Sequence, residues 1–208
     1  VAADWVVGDD VLLAGDQAMQ VVGALVLGQG QLHRPSAGLY AVGRWQKAPS
    51  GRDLFVVVTD LTARSEILLG DRARPLRLVL EAEAAHVWGT TTLGPTADHP
   101  EHQVWQFGAA ARATLRARNV GGVLDVLFAS GDRNFDDGMQ NAFRPDPNFE
   151  VGMLLYRYVV AGQTAQGRVT AADPALVGQP AYDLERLPTR GSATNTIAVF
   201  PRGFWRPM

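Results

Sequence analysis

Alternation of apolar and polar side chains is the clearest pattern in this chain, and it runs longest over residues 104–118, VWQFGAAARATLRAR. Because successive side chains of an extended strand point to opposite faces, a period of two predicts a β-strand. No charge falls on the apolar side of the pattern. The apolar positions are Trp105, Phe107, Ala109, Ala111, Ala113, Leu115 and Ala117, which alternate with Gln106, Arg112, Thr114, Arg116 and Arg118.

Similar patterns recur along the chain and predict an all-β protein. Most of the predicted strands have 10 to 14 residues. Strands of soluble proteins have about 5 to 6 residues, whereas tilted membrane-spanning strands need about 9 to 11. Strand length therefore favours an antiparallel transmembrane β-barrel with long extracellular loops. The predicted strands cover residues 17–28, 36–46, 53–65, 75–88, 104–118, 122–131, 149–164 and 194–206.

The separators are turn-forming segments that alternate imperfectly between short and long. Long loops on one side are typical of the extracellular side of a barrel, and we place the loop 131–148 there. The long segment 166–194 then falls on the side of the short turns. It leaves two interpretations open, a plug of the barrel or a contact with a periplasmic partner.

Charges stay on one face in several predicted strands. In residues 75–88, Leu76, Leu78, Leu80, Ala82 and Ala84 alternate with Arg77, Val79, Glu81 and Glu83. If the loop 131–148 is extracellular, six aromatic side chains share the apolar face near the extracellular ends of their strands, as at the membrane interface of barrels. They are Trp45, Phe55, Trp88, Trp105, Phe107 and Phe128.

The charged face is rich in arginine, which predicts a basic lumen that raises the local concentration of anions. Ion pairs with carboxylates of neighbouring strands are the competing interpretation of each arginine. The predicted lumen arginines are Arg44, Arg64, Arg77, Arg112, Arg116, Arg118, Arg157 and Arg202, against Asp60, Glu81, Glu83 and Asp125.

Composition excludes several classes of protein. The chain has 208 residues, 47% of them hydrophobic, which is enough for a folded domain. It has no cysteine, so disulfide frameworks and thiolate metal sites are excluded. No window of 18 uncharged apolar residues is present, so a helical membrane span is excluded.

Three segments resemble the alginate export family of bacterial outer-membrane barrels. They are FASGDRNFDDGMQNAFRPDPNF (128–149), LLYRY (154–158) and PTRGSATNTIAVFPRGFWRP (188–207). The resemblance extends from about Ala14 onward. It implies a single-chain barrel whose Arg-lined, anion-selective lumen passes a polysaccharide or another anionic solute passively. It also implies a location in the bacterial outer membrane, in contact with the lipid bilayer and lipopolysaccharide.

Eight strands would leave an interior filled by side chains, and the chain ends in Arg206, Pro207 and Met208 instead of an aromatic residue. We therefore expect residues 1–208 to be one segment of a larger barrel, truncated at both ends.

Other chemistry is weakly encoded. One segment resembles the start of a calcium loop, with Asp132, Asn134 and Asp136 at alternate positions. Phe143 stands where an EF-hand has its bidentate glutamate, so an EF-hand is excluded. We expect a polar loop instead. His99 and His102 lack a third metal ligand, so we interpret them as part of a solvated loop. No nucleophile elbow, phosphate loop or dinucleotide fingerprint is present. We expect no enzyme activity, metal, cofactor or nucleic-acid partner.

Two functions from different classes fit the sequence. The first is an outer-membrane porin or exporter that gives passive passage to anionic small solutes or polysaccharide. The second is a soluble, secreted β-sandwich that binds carbohydrate through its arginines and exposed tryptophans. The two differ in the environment of the apolar face, which is lipid in the first and a protein core in the second.

Overall fold

A computed structural model describes residues 1–6, 15–28, 34–70, 75–93, 95, 98–133, 137–145 and 194–206. The described residues form strands and contain no helix, which confirms the all-β prediction. No helix of the described chain is therefore long and apolar enough to cross a membrane. The strands are β1 (Ala2–Val6), β2 (Gln17–Leu27), β3 (Ser36–Lys47), β4 (Asp53–Leu69), β5 (Leu76–Thr91), β6 (His102–Ala117), β7 (Val120–Ala129), β8 (Met139–Gln140) and β9 (Thr196–Trp205).

All nine strands belong to one sheet, with the order β1-β2-β3-β4-β5-β6-β7-β9. Every neighbouring pair in this order is antiparallel. The two-residue β8 pairs with β6 in parallel, outside this order. Each strand from β1 to β6 pairs with the strand that follows it in sequence, and β9 pairs with the other edge of β7.

Seven of the eight predicted strands are confirmed, and the predicted strand 149–164 lies outside the described residues. The strand β4 extends to Leu69, beyond its predicted end at residue 65. Its alternation is broken by three successive apolar residues, Ile67, Leu68 and Leu69, although their pairing with β5 continues. The strands β1 and β8 were not predicted, because five and two residues carry too little periodicity.

The register places paired residues on the same side of the sheet, so it defines two faces. The apolar face consists of the odd-numbered residues of β2, β3, β4, β6 and β9 and the even-numbered residues of β5 and β7. Within these seven strands its only charged residues are Lys47 and Asp53, which pair with each other at the strand ends. The alternate residues form the polar face. The predicted division of side chains between an apolar and a polar face is confirmed in these strands.

The two ends of the sheet are distinguished by their connections. At the upper end, β3 ends and β4 begins, and Ala129 of β7 pairs with Thr196 of β9. At the lower end, a two-residue turn joins β6 to β7. We predicted the segment 166–194 on the side opposite to the loop 131–148. That placement is wrong for its last residue, since Thr194 donates a hydrogen bond to the Ser130 carbonyl (2.9 Å) at the upper end. The reason is that β9 is antiparallel to β7 and starts where β7 ends.

Candidate functional site on the polar face

Six of the eight predicted arginines lie on the polar face of described strands. Arg118 instead lies in the turn between β6 and β7, where its backbone is left-handed (φ 46°). The strand β6 ends at Ala117, one residue before the predicted end at Arg118. Arg157 lies outside the described residues. The six on the polar face are Arg44, Arg64, Arg77, Arg112, Arg116 and Arg202.

Asp125 is the centre of the largest charged cluster. Its Oδ1 accepts a hydrogen bond from Nε of Arg112 (2.5 Å), and its Oδ2 accepts one from Nη2 of Arg202. The Asp125 side chain is only 12% exposed, whereas both arginine side chains are about half exposed. Because the three residues belong to β6, β7 and β9, one buried carboxylate links three adjacent strands.

Two further ion pairs cross from β4 to β5. Nη1 of Arg64 lies 2.7 Å from Oε1 of Glu81, and both side chains are substantially exposed. Nη2 of Arg77 lies 2.7 Å from Oε2 of Glu66, whose side chain is 6% exposed. Glu66 was not among the predicted lumen residues, because the predicted strand ended one residue before it. Extending the alternation past Ser65 would have placed it on this face.

Arg116 and Arg44 also contact uncharged side chains of this face. The guanidinium of Arg116 lies 5.6 Å from the centre of the Phe204 ring, a cation–π geometry between β6 and β9. Nη2 of Arg44 donates a hydrogen bond to Oε1 of Gln46 (3.0 Å), and Gln46 in turn donates to Oδ2 of Asp16 (2.8 Å).

The numbers of positive and negative side chains on this face are closer to equal than predicted. Asp60 and Glu83 also lie on this face, and with Glu66, Glu81 and Asp125 they give five carboxylates against six arginines in β2 to β7 and β9. The predicted excess of eight arginines over four carboxylates therefore shrinks to a surplus of one within these seven strands. Arg64, Arg77, Arg112 and Arg202 are all in ion pairs, as the competing interpretation expects.

A cavity of about 340 Å³ lies among these charges. Its lining combines both signs of charge with hydroxyl groups, an arrangement that can replace the water around a hydrated polar solute. The charged residues that line it are Arg64, Glu81, Glu83, Arg112 and Asp125.

The opposite, apolar face exposes large hydrophobic side chains. Leu25 is 61% exposed, Trp105 57% and Ile197 76%. These exposed fractions are far above those of core residues, which are buried because each packs against about 6 to 12 neighbours. This face therefore needs an apolar environment of its own.

Aromatic side chains form a band across the upper part of the apolar face. The ring centres of Trp45 and Phe55 are 5.3 Å apart. Trp88 pairs with Trp105 across β5 and β6, and the ring centres of Phe107 and Phe128 are 5.8 Å apart. The predicted common face and common end of these six residues are confirmed. Trp205 is 71% exposed on the same face at the lower end. It was not predicted as an interface residue, although the predicted lumen position of Arg202 places it on this face.

The candidate cation ligands do not converge in the described part of the chain. Oδ2 of Asp132 accepts a hydrogen bond from the Asn141 amide (3.2 Å), while Asn134 and Asp136 lie outside the described residues. Among described residues no group of three or more histidine or acidic side chains could hold a metal ion. His102 is 1% exposed at the start of β6, so its placement in a solvated loop was wrong.

No family model, curated protein or solved structure matches this chain. The resemblance to the alginate export family therefore stays a prediction.

Proposed function

We propose that this chain forms the wall of a bacterial outer-membrane β-barrel of the porin or exporter type, which gives passive passage to anionic solutes or polysaccharide. The observation that carries the proposal is the division between the two faces. One face is uncharged away from its ends and exposes large apolar side chains, while the other carries eleven ionisable side chains in six strands. A membrane-spanning barrel has this distribution, with lipid outside and water inside.

The height of the apolar face supports the same orientation. Trp105 and Ala117 are twelve positions apart in β6. That distance is about 40 Å along a strand, and about 30 Å across the membrane for a strand tilted as in barrels. A bilayer has a hydrocarbon core of about 30 Å. The aromatic band at the upper end and Trp205 at the lower end would then lie at the two interfaces, where the upper band contacts lipopolysaccharide.

A soluble carbohydrate-binding sandwich requires a second sheet that packs against the apolar face. All nine described strands instead belong to one sheet, and in β2 to β7 and β9 one face carries no charged residue away from the strand ends. This supports the barrel over the sandwich.

The polar face supports a water-filled passage. Ion pairs such as Arg64 with Glu81 brace neighbouring strands, and their exposed sides remain available to water and solute. The surplus of one arginine in β2 to β7 and β9 predicts a modest preference for anions, weaker than an unpaired row of arginines would give.

The environment of the apolar face is tested by refolding. Full-length protein expressed without a leader should aggregate in buffer and fold in detergent or phospholipid vesicles. In vesicles, lipids brominated along the acyl chains should quench the fluorescence of its tryptophans, because Trp45, Trp88 and Trp105 are exposed on the apolar face. A protein that is folded and monomeric in plain buffer, with tryptophans that brominated lipids do not quench, contradicts the membrane proposal.

Passage itself is tested by conductance. The full-length protein should form ohmic channels in planar bilayers. Under a potassium chloride gradient, the sign of the reversal potential should show a small preference for chloride over potassium. A cation-selective channel would contradict the proposed preference. A protein that folds in vesicles without conducting would contradict the transport function while leaving the membrane location intact.

A further inference from the structure

Residues 137–145, here called the strap, are attached to the upper end of the sheet. β7 covers the edge of β6 only as far as Gly108, which pairs with Ala129. Beyond that point the strap occupies the same edge, since Met139 and Gln140 of β8 pair with Gln103 and Val104. The Gln103 amide donates a hydrogen bond to the Gly138 carbonyl (2.8 Å).

Ser130 fixes the rest of the strap. Its hydroxyl donates to the Asn141 carbonyl (2.6 Å) and accepts from the Phe107 amide (3.0 Å). Its carbonyl accepts a hydrogen bond from the Phe143 amide (3.0 Å). The strap is therefore held to the sheet by hydrogen bonds at Gly138, Asn141 and Phe143.

Phe143 lies on the polar face. A Cβ atom at Gly108 would stand 2.0 Å from Cε1 of the Phe143 ring, so the ring occupies the space that any other residue at position 108 would fill. Gly108 is on the polar face of β6, and the next residue of that face, Ala110, lines the charged cavity. The ring therefore stands about 7 Å above the level of the cavity.

We propose that the strap is a constriction and that Phe143 sets the size limit for solutes that reach the charged cavity. This inference rests on the proposed function, because the polar face bounds a passage only if the sheet is the wall of a barrel. The ring projects an uncharged surface into the path above the ion pairs. The ring narrows the passage without adding a charge. Solutes would therefore be selected by size at the ring and by charge at the ion pairs below it.

The inference is tested with Phe143→Ala and a matched control, Phe128→Ala, which removes an equal ring from the apolar face. Single-channel conductance and swelling of vesicles in uncharged sugars of increasing size are measured for both and for the wild type. Phe143→Ala should raise conductance about twofold and admit larger sugars, with an unchanged chloride preference. Phe128→Ala should leave conductance and size limit at the wild-type values.

Phe143→Leu is the second variant, in case the alanine variant does not fold, because it keeps an apolar side chain over Gly108. It should give an intermediate size limit. A wild-type size limit and conductance in a folded Phe143 variant overturn the constriction while the proposed function stands. A wild-type protein that folds in vesicles without conducting overturns both.

Discussion

Ala111→Arg is expected to weaken folding into phospholipid vesicles by about 3 kcal/mol, because it places a charge near the middle of the lipid-facing surface. Ala111 lies midway between Trp105 and Ala117 on the apolar face. Its row across the sheet is entirely apolar, so the new guanidinium would find no carboxylate. The row consists of Ala63, Ala82, Ala111, Val126 and Val199.

Ala110→Arg is the matched control. It introduces the same side chain one residue earlier in the same strand, on the polar face, where Ala110 pairs with Glu83. The new arginine can reach water and a carboxylate, so its effect should stay within about 1 kcal/mol. Both values are measured from urea titrations of folding in vesicles. Equal losses for the two variants would be incompatible with lipid on one face and water on the other.

Asp125→Asn is expected to lower the free energy of unfolding by about 2 to 3 kcal/mol, since it leaves two arginines beside a neutral, largely buried side chain. The asparagine keeps the shape of aspartate and one acceptor oxygen, but it removes the charge that holds Arg112 and Arg202 together. The half-exposed guanidinium groups regain some water, which keeps the loss below that of a fully buried pair.

Glu81→Gln tests whether burial is the cause. It breaks the Arg64–Glu81 pair, whose two side chains are 53% and 39% exposed. Exposed pairs contribute about 0.2 to 1 kcal/mol, so this variant should cost under about 1 kcal/mol. The comparison uses urea unfolding of both variants in the same vesicles. A loss for Glu81→Gln as large as that for Asp125→Asn would show that burial of the carboxylate is not what makes the Asp125 cluster important.

Alternation made most of the strands and both faces predictable from the sequence. A strand with one apolar face repeats at every second residue, and the shared parity of residues such as Leu78 and Trp88 follows directly from it. The end of each strand was less predictable, because turn geometry and pairing with a neighbour decide it. Arg118 enters a turn although the alternation continues, and β4 continues to Leu69 although the alternation fails after Glu66.

Contacts between strands could not be predicted in the same way. Parity assigns a face but no register, so it identified Arg112 and Asp125 as residues of the same face without showing that they pair. The count of arginines therefore overstated the positive charge. The strap could not be predicted for another reason. Periodicity does not reveal a strand of two residues such as β8, nor the packing of Phe143 over Gly108.

The pairing of β9 with β7 has a consequence for the order of assembly. Strands up to β7 can join the sheet as successive hairpins, each closing a short loop, whereas β9 must return across residues 130–195 before its first contact forms. Closing the longer loop costs more entropy and slows the step. We therefore expect β9 to pair with β7 late in the assembly of the sheet. The hydrogen bonds from Arg112 and Arg202 to Asp125 then help to hold β9 in place.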